Sequence, residues 1–234
     1  MICRILNLLY AVCGIMNLPE TEIKNKAAEY ARTLLEHART HEPSITEDLQ
    51  KIALEVAAEI VGLEHKFKTE QSLAEKITQK AVNNTRIFVE AGYLLNEAVE
   101  KAVKLQAEII NDTLRYTFIL PFESYVFSFK QSLEKLKQEG CKIPENKIWN
   151  AWRNIGTRYD TGYRGINVTV ISSQGQLFEL QFHTEESFQL KMKTHKLYKA
   201  AVSSTNLAER KKKIIQAMVV SAKNILIPKG VTKL

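Results

Sequence analysis

From Thr21 to about Lys80 the chain is dominated by strong helix formers, has almost no Gly or Pro, and places apolar residues such as Ile52, Val56 and Ile60 at helical spacing. This predicts a helical N-terminal third. Pro43 predicts a break within it, and Ser44 with Glu47 reads as a capping box that restarts the helix. A second helical run is predicted from about Lys76 to Ile109, weakest at Gly92. The pattern then changes. Thr113 to Leu120, T-L-R-Y-T-F-I-L, is β-branched and aromatic and ends at Pro121, which predicts a strand. Tyr125 to Gln138 returns to helical spacing, and Gly140 stops it. Gly165 to Ile171 alternates, with Ile166, Val168 and Val170 on one face; Ser172 to Gly175 is a turn, and Leu177 to Thr184 follows as the hairpin partner. Helices over roughly Glu185 to Val202 and Leu207 to Leu226 close the chain, and there is no internal repeat or low-complexity linker.

The second hairpin strand carries the most chemistry. Side chains alternate across a strand, so Phe178, Leu180 and Phe182 share one face while Glu179, Gln181 and His183 share the other. Taken alone, this is the pattern of a half-exposed antiparallel strand with solvated polar residues; with other reactive groups nearby it is an apolar face backing a polar working face. Asp112 stands just before the first strand and Arg115 three residues on. Carboxylates at Asp112 and Glu179, if a fold joins their strands, supply the hard oxygen ligands of a Mg²⁺ that is held mainly by substrate phosphates. An isolated Asp at a strand start is otherwise turn chemistry. In Lys66 to Lys76, K-F-K-T-E-Q-S-L-A-E-K, Ser72 with Glu75 forms a capping box. The helix start it predicts, beside Lys66, Lys68 and Lys76, reads either as an anion site or as a basic solvated surface.

Composition narrows the class. A chain of 234 residues, 45% hydrophobic and 25% charged, buries a sizeable core and is not disordered. Its 33 Lys and Arg against 26 Asp and Glu leave a net charge of +7, which suits polyanionic ligands such as nucleotides or RNA and equally an ordinary soluble surface. Cys3, Cys13 and Cys141 are an odd count without CxxC spacing, so neither a disulfide framework nor a zinc site is implied, and a reducing compartment is the simpler setting. Ile5 to Met16 is apolar behind Arg4 but too short to span a bilayer; it reads as a packed N-terminal helix or as an export-signal core lacking a small-residue cleavage site.

These segments together resemble the synthetase domain of the RelA/SpoT family. K-F-K-x-x-x-S-L-x-x-K is similar to that family's R-x-K-x-x-x-S-I-x-x-K; N-D-T-L-R-Y-T, with Asp112 and Arg115, resembles its Asp-containing strand; D-T-G-Y-R-G-I-N, Asp160 to Asn167, resembles N-G-Y-x-S-L-H; and E-L-Q-F-H-T, Glu179 to Thr184, resembles E-V-Q-I-R-T, followed by H-x-x-Y-K at His195, Tyr198 and Lys199. The ordered set covers roughly residues 60 to 200, and the wording is most similar to a divergent branch associated with phage-related and secreted-toxin genes. No His-Asp pair is found, so the resemblance implies a synthetase without the family's manganese-dependent hydrolase.

The resemblance implies an α+β fold, a mixed sheet of about five strands flanked by helices in the nucleotidyltransferase-like manner, divided as an N-terminal helical region over 1–58, a core over 59–204 and a C-terminal helix over 205–234. It implies transfer of pyrophosphate from ATP to the 3′-hydroxyl of a purine nucleotide, with Lys66, Lys68, Ser72 and Lys76 binding ATP. Asp112 and Glu179 would hold Mg²⁺, and Glu179 or Gln181 would orient the acceptor hydroxyl. Tyr163 would stack on the acceptor purine, and Arg164, Asn167, His183 and Lys199 would line the acceptor site. Such chemistry is positioning and charge neutralisation and needs no covalent nucleophile. The chain departs from the family at Lys66, which lacks a planar guanidinium, at Asn167 in place of His, and at His183 in place of Arg. GTP, GDP, ATP, ADP and the 3′ end of tRNA therefore all stand as acceptors, and a nucleotide- or RNA-binding module without turnover stands as the alternative. The setting implied is the cytoplasm, or a target cell's cytosol reached by secretion.

Overall fold

Apolar residues at helical spacing run from Ile23 through Ala27, Ala31 and Leu35 to Ile45, Leu49 and Ile52, all buried, and the chain follows them as one helix, α1 (Glu20–Glu55). The predicted break at Pro43 does not occur: the proline lies inside α1. A mid-helix proline costs about 3 kcal/mol through its missing N–H and ring clash. Fully burying each of Ile45, Leu49 and Ile52 just beyond it returns about 1.5–3 kcal/mol. Ser44 and Glu47 therefore cap nothing, and Glu47 pairs with Lys51 at 2.8 Å along the helix surface. The structure, a computed structural model, describes residues 20–203 and 208–234, with side chains for all of these except 198–203 and 208–210. The Ile5 to Met16 segment lies outside the described residues.

The chain divides into two compact units, and one boundary falls at this proline. The first unit takes the described residues through Glu42 together with Phe67–Leu114; the second takes Pro43–Lys66 and Arg115–Leu234. In the first, α2 (Glu70–Glu90) and α3 (Leu95–Glu108) pack with the start of α1, burying Leu73, Ile77 and Ala81 with Val99, Ala102 and Val103. The run predicted as one helix is split where Gly92 adopts φ 94°, a left-handed conformation that suits glycine. Helix α2 also begins earlier than the Ser72 capping box predicted. Thr69 is extended and caps it, its hydroxyl accepting from the Ser72 backbone N–H at 3.2 Å.

The second unit holds a five-stranded mixed sheet. Its strands are β1 (Glu59–Val61), β2 (Arg115–Ile119), β3 (Ile148–Asn150), β4 (Ile166–Ile171) and β5 (Leu177–His183), in the order β1-β2-β5-β4-β3. Only β2 and β5 run parallel; the other neighbours are antiparallel. Helices α4 (Tyr125–Gln138), α5 (Glu185–Ser203) and α6 (Ala208–Ser221) belong to the same unit, so the protein is α+β as predicted. One face of the sheet is apolar: Tyr116 meets Phe178 edge to face, Phe118 and Phe129 meet Phe182, and the Tyr125 hydroxyl donates to the Phe182 carbonyl at 2.8 Å. Gly162 illustrates how tightly the loop before β4 is held. Its φ is 77°, and a Cβ there would come within 2.5 Å of the Met218 backbone. Among the described residues no helix is long and apolar enough to cross a membrane.

Candidate functional site

Strand register decides which residues share the sheet's other face. Arg115 is opposite Glu179 across the parallel pair, Thr117 opposite Gln181, Asn167 opposite Gln181 across the hairpin, and Trp149 opposite Asn167 at the edge. Alternation therefore collects Arg115, Asn167, Glu179, Gln181 and His183 on one side. They are not solvated as a half-exposed strand would have them: Glu179 is 8% exposed, Gln181 4% and His183 fully buried.

Buried polar groups must be bonded, and these are. Glu179 accepts from Arg115 Nε at 2.7 Å, from Asn167 Nδ2 at 2.7 Å and from Gln181 Nε2 at 3.1 Å. Lys191 of α5 donates to Gln181 Oε1 at 2.6 Å. The Tyr163 hydroxyl donates to Asn167 Oδ1 at 2.6 Å and lies 2.9 Å from His183 Nε2, whose other ring nitrogen is 3.0 Å from Ser187 Oγ. Burial, aided by the Lys191 charge, pushes the His183 imidazole well below its ordinary range, so it is neutral here. Burial also lifts the Tyr163 hydroxyl well above its ordinary value, with the Glu179 charge adding to the effect. It lowers the Lys191 ammonium to about 8, with Arg115 acting in the same direction and Glu179 opposing.

The first unit carries a separate cluster. Lys68 donates its backbone N–H to the Thr113 carbonyl at 3.0 Å beside the Phe67–Leu114 bridge, which draws its side chain to the neighbouring Asp112. Lys68 Nζ is 2.6 Å from Asp112 Oδ2, and Lys76 Nζ, from α2, is 2.7 Å from Oδ1. Burial works against this carboxylate, but the two lysines outweigh it and hold the pKa at about 2. Because the folded value lies below the ordinary 3.8, the carboxylate contributes stability above that pH and loses it as pH falls towards about 2. Urea unfolding at a series of pH values should show Asp112→Asn less stable than the wild type by roughly 2 kcal/mol near pH 6. The gap should narrow below about pH 4; a gap independent of pH would mean that the carboxylate charge is not what the lysines stabilise.

No described protein family and no curated protein matches the chain in sequence. Among solved structures it is similar to the type VI effector Tas1, determined in complex with its immunity protein, at 15% identity and a TM-score of 0.47 over 81% of this chain and 93% of that one. It is also similar to a GTP pyrophosphokinase family protein from Streptococcus pneumoniae, at 18% identity and a TM-score of 0.47 over 80% and 87%. A third is smu.1046c from Streptococcus mutans UA159, at 16% identity and a TM-score of 0.45 over 83% and 89%.

The residues singled out in the sequence are placed as follows. Glu179, Gln181, Asn167, Tyr163 and His183 share one network in the second unit, while Asp112, Lys68 and Lys76 form the cluster in the first. Ser72 lies in the first turn of α2, with its backbone N–H taken by the Thr69 cap. The Lys66 carbonyl accepts from the Arg115 N–H at 2.8 Å, tying the start of β2. The Lys199 side chain lies outside those described. Two residues depart from the roles expected of them. Arg164 does not face an open phosphate site: it is buried and forks onto Asp160, Nη1 to Oδ1 at 2.9 Å and Nη2 to Oδ2 at 3.2 Å, because Asp160 also gathers the Gly156 and Gly162 N–H groups and needs a buried counter-charge. Tyr163 does not offer an unobstructed ring: the Trp149 indole stacks on it at a centroid distance of 5.3 Å and an interplanar angle of 15°. Sequence reasoning missed Lys191 and Trp149. The only available signal was positional, a lysine on the helix that follows β5 and an aromatic on a strand too short to recognise.

Proposed function

We propose that this chain transfers the β,γ-pyrophosphate of ATP to the 3′-hydroxyl of a purine nucleotide. The observation that carries the reading is the bonding of Glu179. A carboxylate offers about four acceptor positions, and three are taken by Arg115, Asn167 and Gln181. They fix the group rigidly and leave one position for an incoming hydroxyl proton. In the reaction the acceptor 3′-hydroxyl gives its proton to Glu179 as its oxygen bonds to the β-phosphorus. The bond from that phosphorus to the oxygen bridging to the α-phosphate breaks, and AMP leaves with the electron pair. Lys68 and Lys76 are assigned to the ATP phosphates together with Lys66 and Ser72. Arg115 and Lys191 add positive charge on the sheet face where charge develops. Of the two carboxylates expected to hold Mg²⁺, Asp112 is the one assigned to the ion, since the last open position of Glu179 is given to the hydroxyl. Asp112, ionised down to about pH 2, is a hard oxygen donor of the kind that ion takes beside substrate phosphates, and the bound ion would neutralise phosphate charge.

The test is incubation with ATP labelled in its β-phosphate, with Mg²⁺ and, separately, GTP, GDP, ATP, ADP or uncharged tRNA. The expected result is AMP and a 3′-pyrophosphorylated product in equal amounts with at least one nucleotide. ATP bound without release of AMP for every acceptor would replace this reading with that of a nucleotide-binding module.

A further inference from the structure

We propose that Trp149, rather than Tyr163 alone, is the platform on which a purine base stacks, making an edge-strand tryptophan the base-binding residue of this site. The assignment deepens the reading above and rests on it for the ligand being a nucleotide. The Trp149 indole is 44% exposed on a three-residue edge strand, so a ligand can reach it. Its inner face is fixed by the stack on Tyr163, and Tyr163 is in turn pinned through its hydroxyl to Asn167 and His183. The plane of the indole is therefore set before any ligand arrives, so stacking loses little side-chain freedom.

Its surroundings favour a base over a protein segment. Trp149 registers directly with Asn167, whose amide reaches Glu179, so the platform adjoins the polar row that carries Arg115, Gln181 and Lys191. One aromatic plane bordered by amides and cations fits a flat ring bearing a phosphate. Tyr163 pairs with the base indirectly, by holding the indole.

Stacking on one aromatic is worth ~1–3 kcal/mol, which is about 5- to 150-fold in Kd. Intrinsic fluorescence reads it directly, because the other tryptophan, Trp152, is 1% exposed and shielded from ligand. Titrating the full chain with GMP and with AMP should quench the indole emission. Trp149→Ala should weaken binding of the better of the two, measured by calorimetry, by about 10- to 100-fold, whereas Trp149→Phe, which keeps an aromatic plane, should retain most of the affinity. Affinity for inorganic pyrophosphate should be unchanged in both variants. Mononucleotide binding that is unaltered in Trp149→Ala, absent in the wild type, or lost in step with pyrophosphate binding would overturn the platform. Quenching and base-dependent binding without any pyrophosphate transfer would uphold the platform and discard the activity; transfer with an unaltered acceptor KM in Trp149→Ala would do the reverse.

Discussion

Replacing Glu179 by Gln should lower the rate of pyrophosphate transfer from labelled ATP by on the order of 10²-fold or more, the loss that follows removal of one preorganised electrostatic contact in other enzymes. Gln keeps the shape and one acceptor oxygen, and placed at the Oε1 position that oxygen still accepts from both Asn167 and Gln181. The charge opposite Arg115 disappears, and with it the position that takes the hydroxyl proton. The Arg115 side chain is 36% exposed and keeps access to water, so the cost to folding should stay at roughly 1 kcal/mol. Measured together, kcat and the unfolding free energy separate the two effects. Full transfer in a folded Glu179→Gln protein would remove Glu179 from the chemistry and leave the network as packing alone. A collapse of stability to match the lost rate would make it structural.

The opposite profile is expected at Arg164. Its side chain is 3% exposed and that of Asp160 6%, so Arg164→Ala leaves a buried carboxylate with only two backbone N–H partners. Breaking such a pair from one side costs about 3–5 kcal/mol, a large fraction of the total stability of an ordinary domain. The sign of the pH dependence identifies the cause. Without its counter-charge the buried Asp160 has a raised folded-state pKa, so the deficit should shrink as pH falls into the carboxylate range and grow above it. Arg164→Lys should recover only part of the loss, since an ammonium cannot fork onto both oxygens. Urea unfolding of the three proteins at pH 4 and pH 7 tests this. Near-wild-type stability with a raised acceptor KM would return Arg164 to the phosphate site.

What was legible in the sequence follows the reach of each signal. Helix α4 lies where period and the Gly140 stop placed it, and β4 and β5 lie where alternation placed them, because those patterns are local and strong. Strands β1 and β3 have three residues each, too short to alternate, and Ile60 fitted a helical period until tertiary pairing with Phe118 drew it into the sheet. Pro43 is the reverse case, a strong local signal overruled by a buried stripe that continues past it. The polar side of β5 was recognisable as a set, but its burial was not, since that depends on Arg115 from β2, Asn167 from β4 and Lys191 from α5 closing over it. Arg164 was misplaced for a related reason: its partner Asp160 is only four residues away, yet nothing local distinguishes a buried fork from an exposed cation waiting for phosphate.

The single parallel pairing in the sheet also governs the order in which the protein can mature. Strands β4 and β5 are joined by one tight turn and can zip from it quickly. Arg115 and Glu179 are 64 positions apart, and bringing them into register requires closing that long loop before any contact rewards it. The β4–β5 hairpin thus presents Glu179 early with Asn167 and Gln181 but without its guanidinium, and the carboxylate becomes fully dressed only when β2 inserts. The network around Glu179 is thus completed in one late step, and the transfer proposed above is expected only of the fully folded chain.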